Sequence, residues 1–189
     1  MTRSINVLLA AAAAAVLFSC GQKASLPVAS ACDTLSRETV GQVQGEAVVD
    51  IKGSQATSGD ISISQCFYKL PTFSKSVNLE VTQGSRDAID AFWNKRFRDR
   101  GMSEEQEEEL EREKKEGKTA PETDQKQGNP QAVAGLGDEA FWTASQINGA
   151  LFVRRGNAVY RINLGGAEDS ASKLEKATAL ANSFVNKKD

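Results

Sequence analysis

The N-terminal segment of the chain constrains everything that follows it. Arg3 supplies a positive charge, residues 5–18 are almost entirely apolar, and a small residue then precedes Cys20. This is the layout of a secretory signal peptide. As a helix rising about 1.5 Å per residue, the apolar run would span only ~21 Å, against ~30 Å for the hydrocarbon core of a membrane. We therefore expect residues 1–19 to be a removed signal rather than a permanent membrane span.

The end of this segment, Leu17-Phe18-Ser19-Cys20, resembles the lipobox of bacterial lipoproteins. The resemblance implies that Cys20 becomes the first residue of the mature protein and carries a diacylglycerol on its sulfur and an acyl group such as palmitate on its amine. Two or more acyl chains would hold the protein stably in a membrane, because each buried CH₂ contributes ~0.8 kcal/mol and a single acyl chain anchors a protein only marginally. The expected location is the bacterial cell envelope, with the protein anchored to a membrane on its periplasmic or outer-membrane face. The alternative is an ordinary secretory signal followed by an incidental cysteine.

The chain contains three cysteines. If Cys20 carries lipid, Cys32 and Cys66 remain as an even pair in an oxidising compartment, where such pairs form disulfides. A bridge would close a loop of about 35 residues and stabilise the fold by roughly 3.8 kcal/mol in the chain-entropy estimate. The alternative is a reactive thiol, although neither cysteine belongs to a Cys-x-x-Cys motif.

The rest of the chain predicts one domain on a tether. Residues 20–30 are small and polar and would connect the lipid to a domain spanning residues 31–187, long enough for a real core. Inside this domain, residues 102–131 predict a charged insertion that combines a solvated helix with a segment of disordered-linker composition. The alternative is that its glutamates form an acidic interaction surface.

Two periodicities divide the domain into elements. Helical spacing predicts a short helix capped by Ser36 and ending at Gly41, a core-facing helix over residues 86–100 capped by Ser85, and a final helix starting near residues 170–172. Alternation with a period of two predicts strands and a closing hairpin. The predicted strands cover residues 46–52, 60–70, 76–82, 151–154 and 158–164, and residues 53–59 are predicted as a turn.

The order of four short motifs resembles small bacterial envelope lipoproteins of uncharacterised function. The motifs are Cys32-Asp33-x-Leu35, Cys66-x-Tyr68, Gly135-Leu136-Gly137-Asp138-x-Ala140 and Leu151-x-Val153-Arg154-x-Gly156-Asn157. Such lipoproteins are similar to the photosystem PsbP proteins and the Mog1 family. The resemblance therefore implies an α+β fold in which an antiparallel sheet packs against helices. It also implies pairing of Cys32 with Cys66, and it carries over no catalytic residue.

Composition limits the available chemistry. The chain has no histidine, so it lacks the commonest general base and transition-metal ligand and cannot form a Ser-His-Asp or Cys-His arrangement. Its 23 basic and 25 acidic residues give a net charge of −2, and no basic stripe indicates a nucleic-acid partner. No EF-hand loop is present. We therefore expect no enzymatic activity, no cofactor and no metal.

These observations favour a lipid-anchored, non-catalytic binding or scaffolding module. A sheet face, or a groove beside Phe141 and Trp142, would contact an envelope protein or a small apolar ligand. Arg154 and Arg155 flank the predicted hairpin turn and could bind an acidic partner or headgroup, although exposed turn charges are the simpler interpretation.

Two other functions stay open at this level. A hydrolase or carbohydrate-active enzyme could use carboxylates such as Asp60 and Asp138, provided that the two lie within ~10 Å of each other. A thiol–disulfide redox protein would use Cys32 and Cys66. Phosphate binding is not favoured, because Gly135-x-Gly137-Asp138 lacks a third glycine and a following lysine, and its glycines predict a turn into a strand.

Overall fold

The structure is a computed structural model that describes residues 30–98, 130–145 and 147–186. The predicted signal peptide, Cys20, most of the tether and the predicted insertion up to residue 129 lie outside the described residues. Within the described ranges, none of the helices has the length and apolar character needed to cross a membrane.

The described residues form an α+β domain, as predicted. Its helices are α1 (Ala31–Thr34), α2 (Arg37–Gln44), α3 (Arg86–Phe97) and α4 (Ser170–Val185), and a 3₁₀ turn covers Phe73–Lys75. Its strands are β1 (Asp50–Ser58), β2 (Ile61–Lys69), β3 (Val77–Gly84), β4 (Gln131–Ala132), β5 (Glu139–Ala144), β6 (Gly149–Arg155) and β7 (Ala158–Leu164).

All seven strands join one antiparallel sheet in the order β1-β2-β3-β7-β6-β5-β4. Successive side chains on a strand point to opposite faces. One face, here called the covered face, packs against α1, α2 and α4 and forms the main core. Val77, Leu79 and Val81 of β3 lie on this face and are fully buried, as their alternation predicted.

The opposite face, here called the open face, carries α3 alone among the described helices. Ile89 and Trp93 of this helix are fully buried against Phe152 and Val159 of the sheet. The side chain of Ser85 caps the helix by accepting a hydrogen bond from the Ala88 N–H, which confirms the predicted N-cap. This second cluster is smaller than the main core and covers only part of the sheet.

A disulfide joins Cys32 of α1 to Cys66 of β2. The Tyr68 hydroxyl, two positions further along β2, donates a hydrogen bond of 2.6 Å to the Leu35 carbonyl. Burial is the main cause that raises the pKa of Tyr68 to about 12. The bridge and this buried hydroxyl together fasten the N-terminal helices to the covered face.

Several element boundaries differ from the predictions. Helix α2 continues through Gly41 to Gln44, and Gly45 ends it in the left-handed conformation with φ of +72°. Helix α4, by contrast, begins at Ser170 as predicted, and the Asp169 carboxylate caps it by accepting from the Ser172 N–H. Residues 53–58, predicted as a turn, belong to β1. As an edge strand whose side chains are mostly exposed, β1 needs no apolar alternation, so its small polar residues gave a turn-like pattern.

Candidate functional site

The open face holds a groove beside α3, the one described helix on that face. The helix lies over the row Gln65–Glu80–Arg161–Phe152–Phe141 and the row beyond it, where its aromatic side chains pack. Among the described residues, the next row towards the other end of the sheet meets α3 only at Ala150, which belongs to the cluster of Ile89 and Trp93. The register places these five side chains in that row: Phe67, Asn78, Asn163, Ala150 and Thr143. This row is the floor of the groove.

Three loops form the walls of the groove at the end of the sheet. They are the β2–β3 connection, the β5–β6 turn and the segment that follows β7, and together with the floor they enclose a volume of about 930 Å³. Phe73 stands on the first wall and Ile147 on the second, with exposed fractions of 69% and 59%. In the described part of the chain only one other large apolar side chain, Val49, is exposed. Two of these three exposed apolar groups therefore belong to the rim of one groove.

Arg161 lies where the groove meets the α3 cluster. Its guanidinium carbon lies 5.4 Å from the centre of the Phe152 ring, and that of Arg96 lies 4.7 Å from the same ring. Such contacts are favourable because the ring face is electronegative. The Arg161 Nε atom is buried and has no hydrogen-bond partner among the described residues.

The carboxylate opposite Arg161 is engaged elsewhere. Glu80 faces Arg161 in the strand register, but it accepts a hydrogen bond of 2.7 Å from the Gln65 side chain and makes no described ion pair with the arginine. The described residues that line the groove include no other charged side chain. The described lining of the groove therefore contains one positive charge, and the cross-strand carboxylate of Glu80 lies outside that lining.

The first wall is fixed by an ion pair. Glu46, after α2, accepts hydrogen bonds from Lys75 Nζ at 2.7 Å and from the Thr72 N–H at 3.0 Å. The hydrogen bond from Lys75, with those from Thr72, lowers the pKa of Glu46 to about 2. This carboxylate is therefore ionised at any physiological pH and holds the loop that carries Phe73.

The second wall is fixed from the covered face. Lys173 of α4 is only 3% exposed, and its ammonium group donates a hydrogen bond of 3.2 Å to the Ile147 carbonyl. The third wall passes close to the first, since a side chain at Gly165 would come within 2.8 Å of the Ser74 carbonyl oxygen. The walls are thus tied to the folded core and to each other.

The sequence-predicted binding residues lie apart from this groove. Trp142 is buried on the covered face and donates a hydrogen bond to the Ser170 hydroxyl, whereas Phe141 packs on the open face with its ring 4.8 Å from that of Phe97. Arg154 pairs with Asp90 of α3, and Arg155 donates to the Phe184 carbonyl. The structure does not bring these four residues onto one surface, and a binding role for them stays a prediction.

The candidate carboxylates are also dispersed. Asp60 occupies the turn between β1 and β2, and Asp138 directly precedes β5. Strands β2 and β5 are four strand spacings apart in the sheet, which corresponds to about 19 Å. The Asp138 carboxylate instead accepts from the Gly156 N–H of the β6–β7 hairpin, and a catalytic role for Asp60 and Asp138 stays a prediction. Among the described residues, no group of three or more His, Cys, Asp and Glu side chains could hold a metal ion.

The glycines before β5 have a structural role that matches the predicted turn. Gly135 and Gly137 have φ of +82° and +55°, and the Asp138 that follows them binds the β6–β7 hairpin. Its carboxylate accepts from the Gly156 N–H at 2.6 Å, and its own N–H donates to the Arg154 carbonyl at 2.7 Å.

Sequence reasoning missed Asn78, Asn163 and Arg161. They are the polar positions of two alternating strands, and such positions are ordinarily solvated, so the pattern of either strand alone contained no signal. The available signal was the combination of two asparagines and an arginine on strands that become neighbours, and it could be used only once the pairing of β3 with β7 was known.

Comparison with known proteins assigns no family. No family model matches the chain, and no curated protein matches it. Among solved structures, the chain is similar to the crystal structure of a GTP binding regulator, TM1622, from Thermotoga maritima. The identity is 11% and the TM-score 0.38, over 85% of this chain and 95% of that chain. A likeness at this level supports no conclusion about the function of the present chain.

Proposed function

We propose that the protein is a lipid-anchored, non-catalytic lipoprotein of the bacterial cell envelope whose PsbP/Mog1-like domain binds a ligand or partner in the open-face groove. The observation that carries the binding role is the groove itself, with Phe73 and Ile147 exposed on two of its walls. The lipobox at Cys20 supports the anchor, and the tether of residues 20–30 would let the domain reach its partner.

An uncovered sheet face needs no functional explanation by itself, since antiparallel sheets commonly expose one face to water. The groove differs from such a face in two ways. It is concave, and its rim exposes two large apolar side chains rather than charged ones. Large exposed apolar groups around a concave surface are typical of a ligand or protein contact.

Binding is favoured over the two alternative functions. Asp60 and Asp138, which the hydrolase hypothesis named, belong to segments beside β2 and β5, four strand spacings apart, and this weighs against a shared site. A redox role would require an accessible and exchangeable bridge, whereas Cys66 is fully buried and only Cys32 is partly exposed. Neither alternative uses the groove.

Site-specific photo-crosslinking tests the binding role. A photoreactive amino acid is placed at Phe73 or Ile147 in the full chain, and cells of the native host are irradiated. We expect a discrete adduct from both positions, because both side chains face the same bound molecule. Mass spectrometry of the adduct would identify its chemistry.

Val49 offers a matched control, since it is 55% exposed and apolar but does not line the groove. The same photoreactive group at Val49 should give no such adduct. Equal labelling from all three positions, or none from the two rim positions, would contradict a groove-centred binding role.

The anchor has its own test. Replacement of Cys20 by alanine should release the protein from the membrane fraction or leave an unprocessed precursor, because both lipidation and cleavage require this thiol. Cell fractionation and the mass of the mature protein measure the outcome. Unchanged processing and membrane association would mean that the lipobox assignment is wrong.

A further inference from the structure

We propose that the groove recognises the C-terminal end of a short peptide, with the terminal carboxylate paired to Arg161. This inference rests on the binding role proposed above and names the chemical class of its ligand. It is carried by an arginine that forms no ion pair with a described residue, by two asparagine amides beside it without described hydrogen bonds, and by the distance between the arginine and the asparagines.

The charge of the groove selects a monoanion. Arg161 is the one ionised side chain among the described lining residues, and Glu80, opposite it on β3, does not line the groove. A guanidinium presents donors in a planar fork that matches a carboxylate. A single carboxylate would pair with the guanidinium through its N–H groups other than the buried Nε, whereas a phosphate dianion would leave one negative charge without a partner in the groove.

The amides of the floor select a peptide rather than an acyl chain. Asn78 and Asn163 lie opposite each other on β3 and β7, and neither side chain forms a hydrogen bond with a described residue. An acyl chain over this floor would bury both amides without partners, at a cost of about 1–3 kcal/mol each. A peptide group offers one donor and one acceptor, and so satisfies them.

The spacing fits an extended peptide. Arg161 and Asn163 are two residues apart on β7 and share a face, so their positions are about 6.6 Å apart. Two residues of an extended ligand cover the same length. A carboxylate on Arg161 would therefore place the preceding peptide groups over the asparagines, and an apolar side chain of the ligand would lie between Phe73 and Ile147.

Calorimetric titration of the full chain in non-ionic detergent tests the inference. The probes are N-acetyl-Ala-Leu-Ala with a free C-terminus, the same peptide as its C-terminal amide, and octanoate. We expect the free acid to bind roughly tenfold more tightly than the amide, as one charge-assisted hydrogen-bonded pair provides. Backbone and side-chain amide NMR signals of Asn78 and Asn163 should shift on titration.

Substitution of the arginine provides the second arm. Arg161→Gln should weaken binding of the free acid roughly tenfold and leave binding of the amide unchanged. The affinity of Arg161→Lys for the free acid should lie between those of the wild type and Arg161→Gln, because lysine keeps the charge but lacks the planar fork of donors. Arg86→Gln is the matched control, since Arg86 is exposed in the first turn of α3 and does not line the groove. Near-ultraviolet circular dichroism checks that each variant is folded, and the comparison of acid with amide in the wild type requires no variant.

The outcomes separate this inference from the proposed function. If the acid and the amide bind the groove equally, carboxylate recognition is overturned while groove binding stands. Tighter binding of octanoate than of the peptide acid overturns the peptide assignment. If none of the probes binds, the inference is overturned, and the crosslinking experiment decides independently whether the groove is a binding site.

Discussion

Replacing Cys32 and Cys66 together by alanine is expected to lower the free energy of unfolding by about 4 kcal/mol. The bridge joins positions 34 residues apart, so its removal restores loop entropy to the unfolded chain. Alanine is preferable to serine because Cys66 is fully buried and a hydroxyl there would need a partner. Urea denaturation of the full chain measures the loss.

The fold itself should survive this change. The Tyr68 hydroxyl still donates to the Leu35 carbonyl, and the Ala31 N–H still donates to the Ser64 hydroxyl at 2.9 Å, so α1 keeps two hydrogen bonds to β2. Cys20→Ala is the control and should leave the urea midpoint unchanged. An unchanged midpoint in the double variant would contradict a stabilising role for the bridge. Release of two reactive thiols from the native protein by mild reductant would instead favour the redox alternative.

The helices and strands that could be predicted were those in which apolar residues recur at helical or strand spacing within the element itself. Helix α3 has a Ser85 cap and apolar residues at helical spacing, and β3 alternates from Val77 to Val81, so each was predicted from a local pattern. The incorrect prediction of β1 as partly a turn has a physical cause. Edge strand β1 buries little, and without a buried face no alternation is required, so its glycine and serine residues resembled a turn.

The groove could not be predicted, because it depends on which strands become neighbours. Its floor takes Phe67 and Asn78 from one hairpin and Asn163 from another, and they meet only because β3 pairs with β7. A shift of that pairing by one residue would move every floor side chain to the opposite face. Trp142 illustrates the same point, since its strand position buries it in the core whereas aromatic composition alone had suggested a groove.

Replacement of Gly137 by alanine is expected to destabilise the domain by about 3–4 kcal/mol, from backbone strain and overpacking together. Gly137 has φ of +55°, and an added methyl group would overlap the Arg154 carbonyl oxygen and approach a Val153 methyl group to 2.9 Å. The turn that contains Gly137 cannot shift to relieve this overlap without losing stabilising hydrogen bonds. The hydrogen bonds that join Asp138 to Arg154 and to Gly156 would both lengthen if the segment moved away from the hairpin.

Gly135 provides a control that separates the two causes. It also has a positive φ, of +82°, but no atom lies within 4 Å of the position that its added methyl group would occupy. Gly135→Ala should therefore lower the free energy of unfolding only by the cost of backbone strain at positive φ, about 1–2 kcal/mol. Urea denaturation of both variants measures the difference, which reports the close approach of this turn to the β6–β7 hairpin. Equal losses would show that the approach contributes nothing and that the glycines serve only to reverse the chain. A larger loss at Gly137 would show that this turn fastens β5 to the hairpin, and so holds the strand that contributes Thr143 to the floor of the groove.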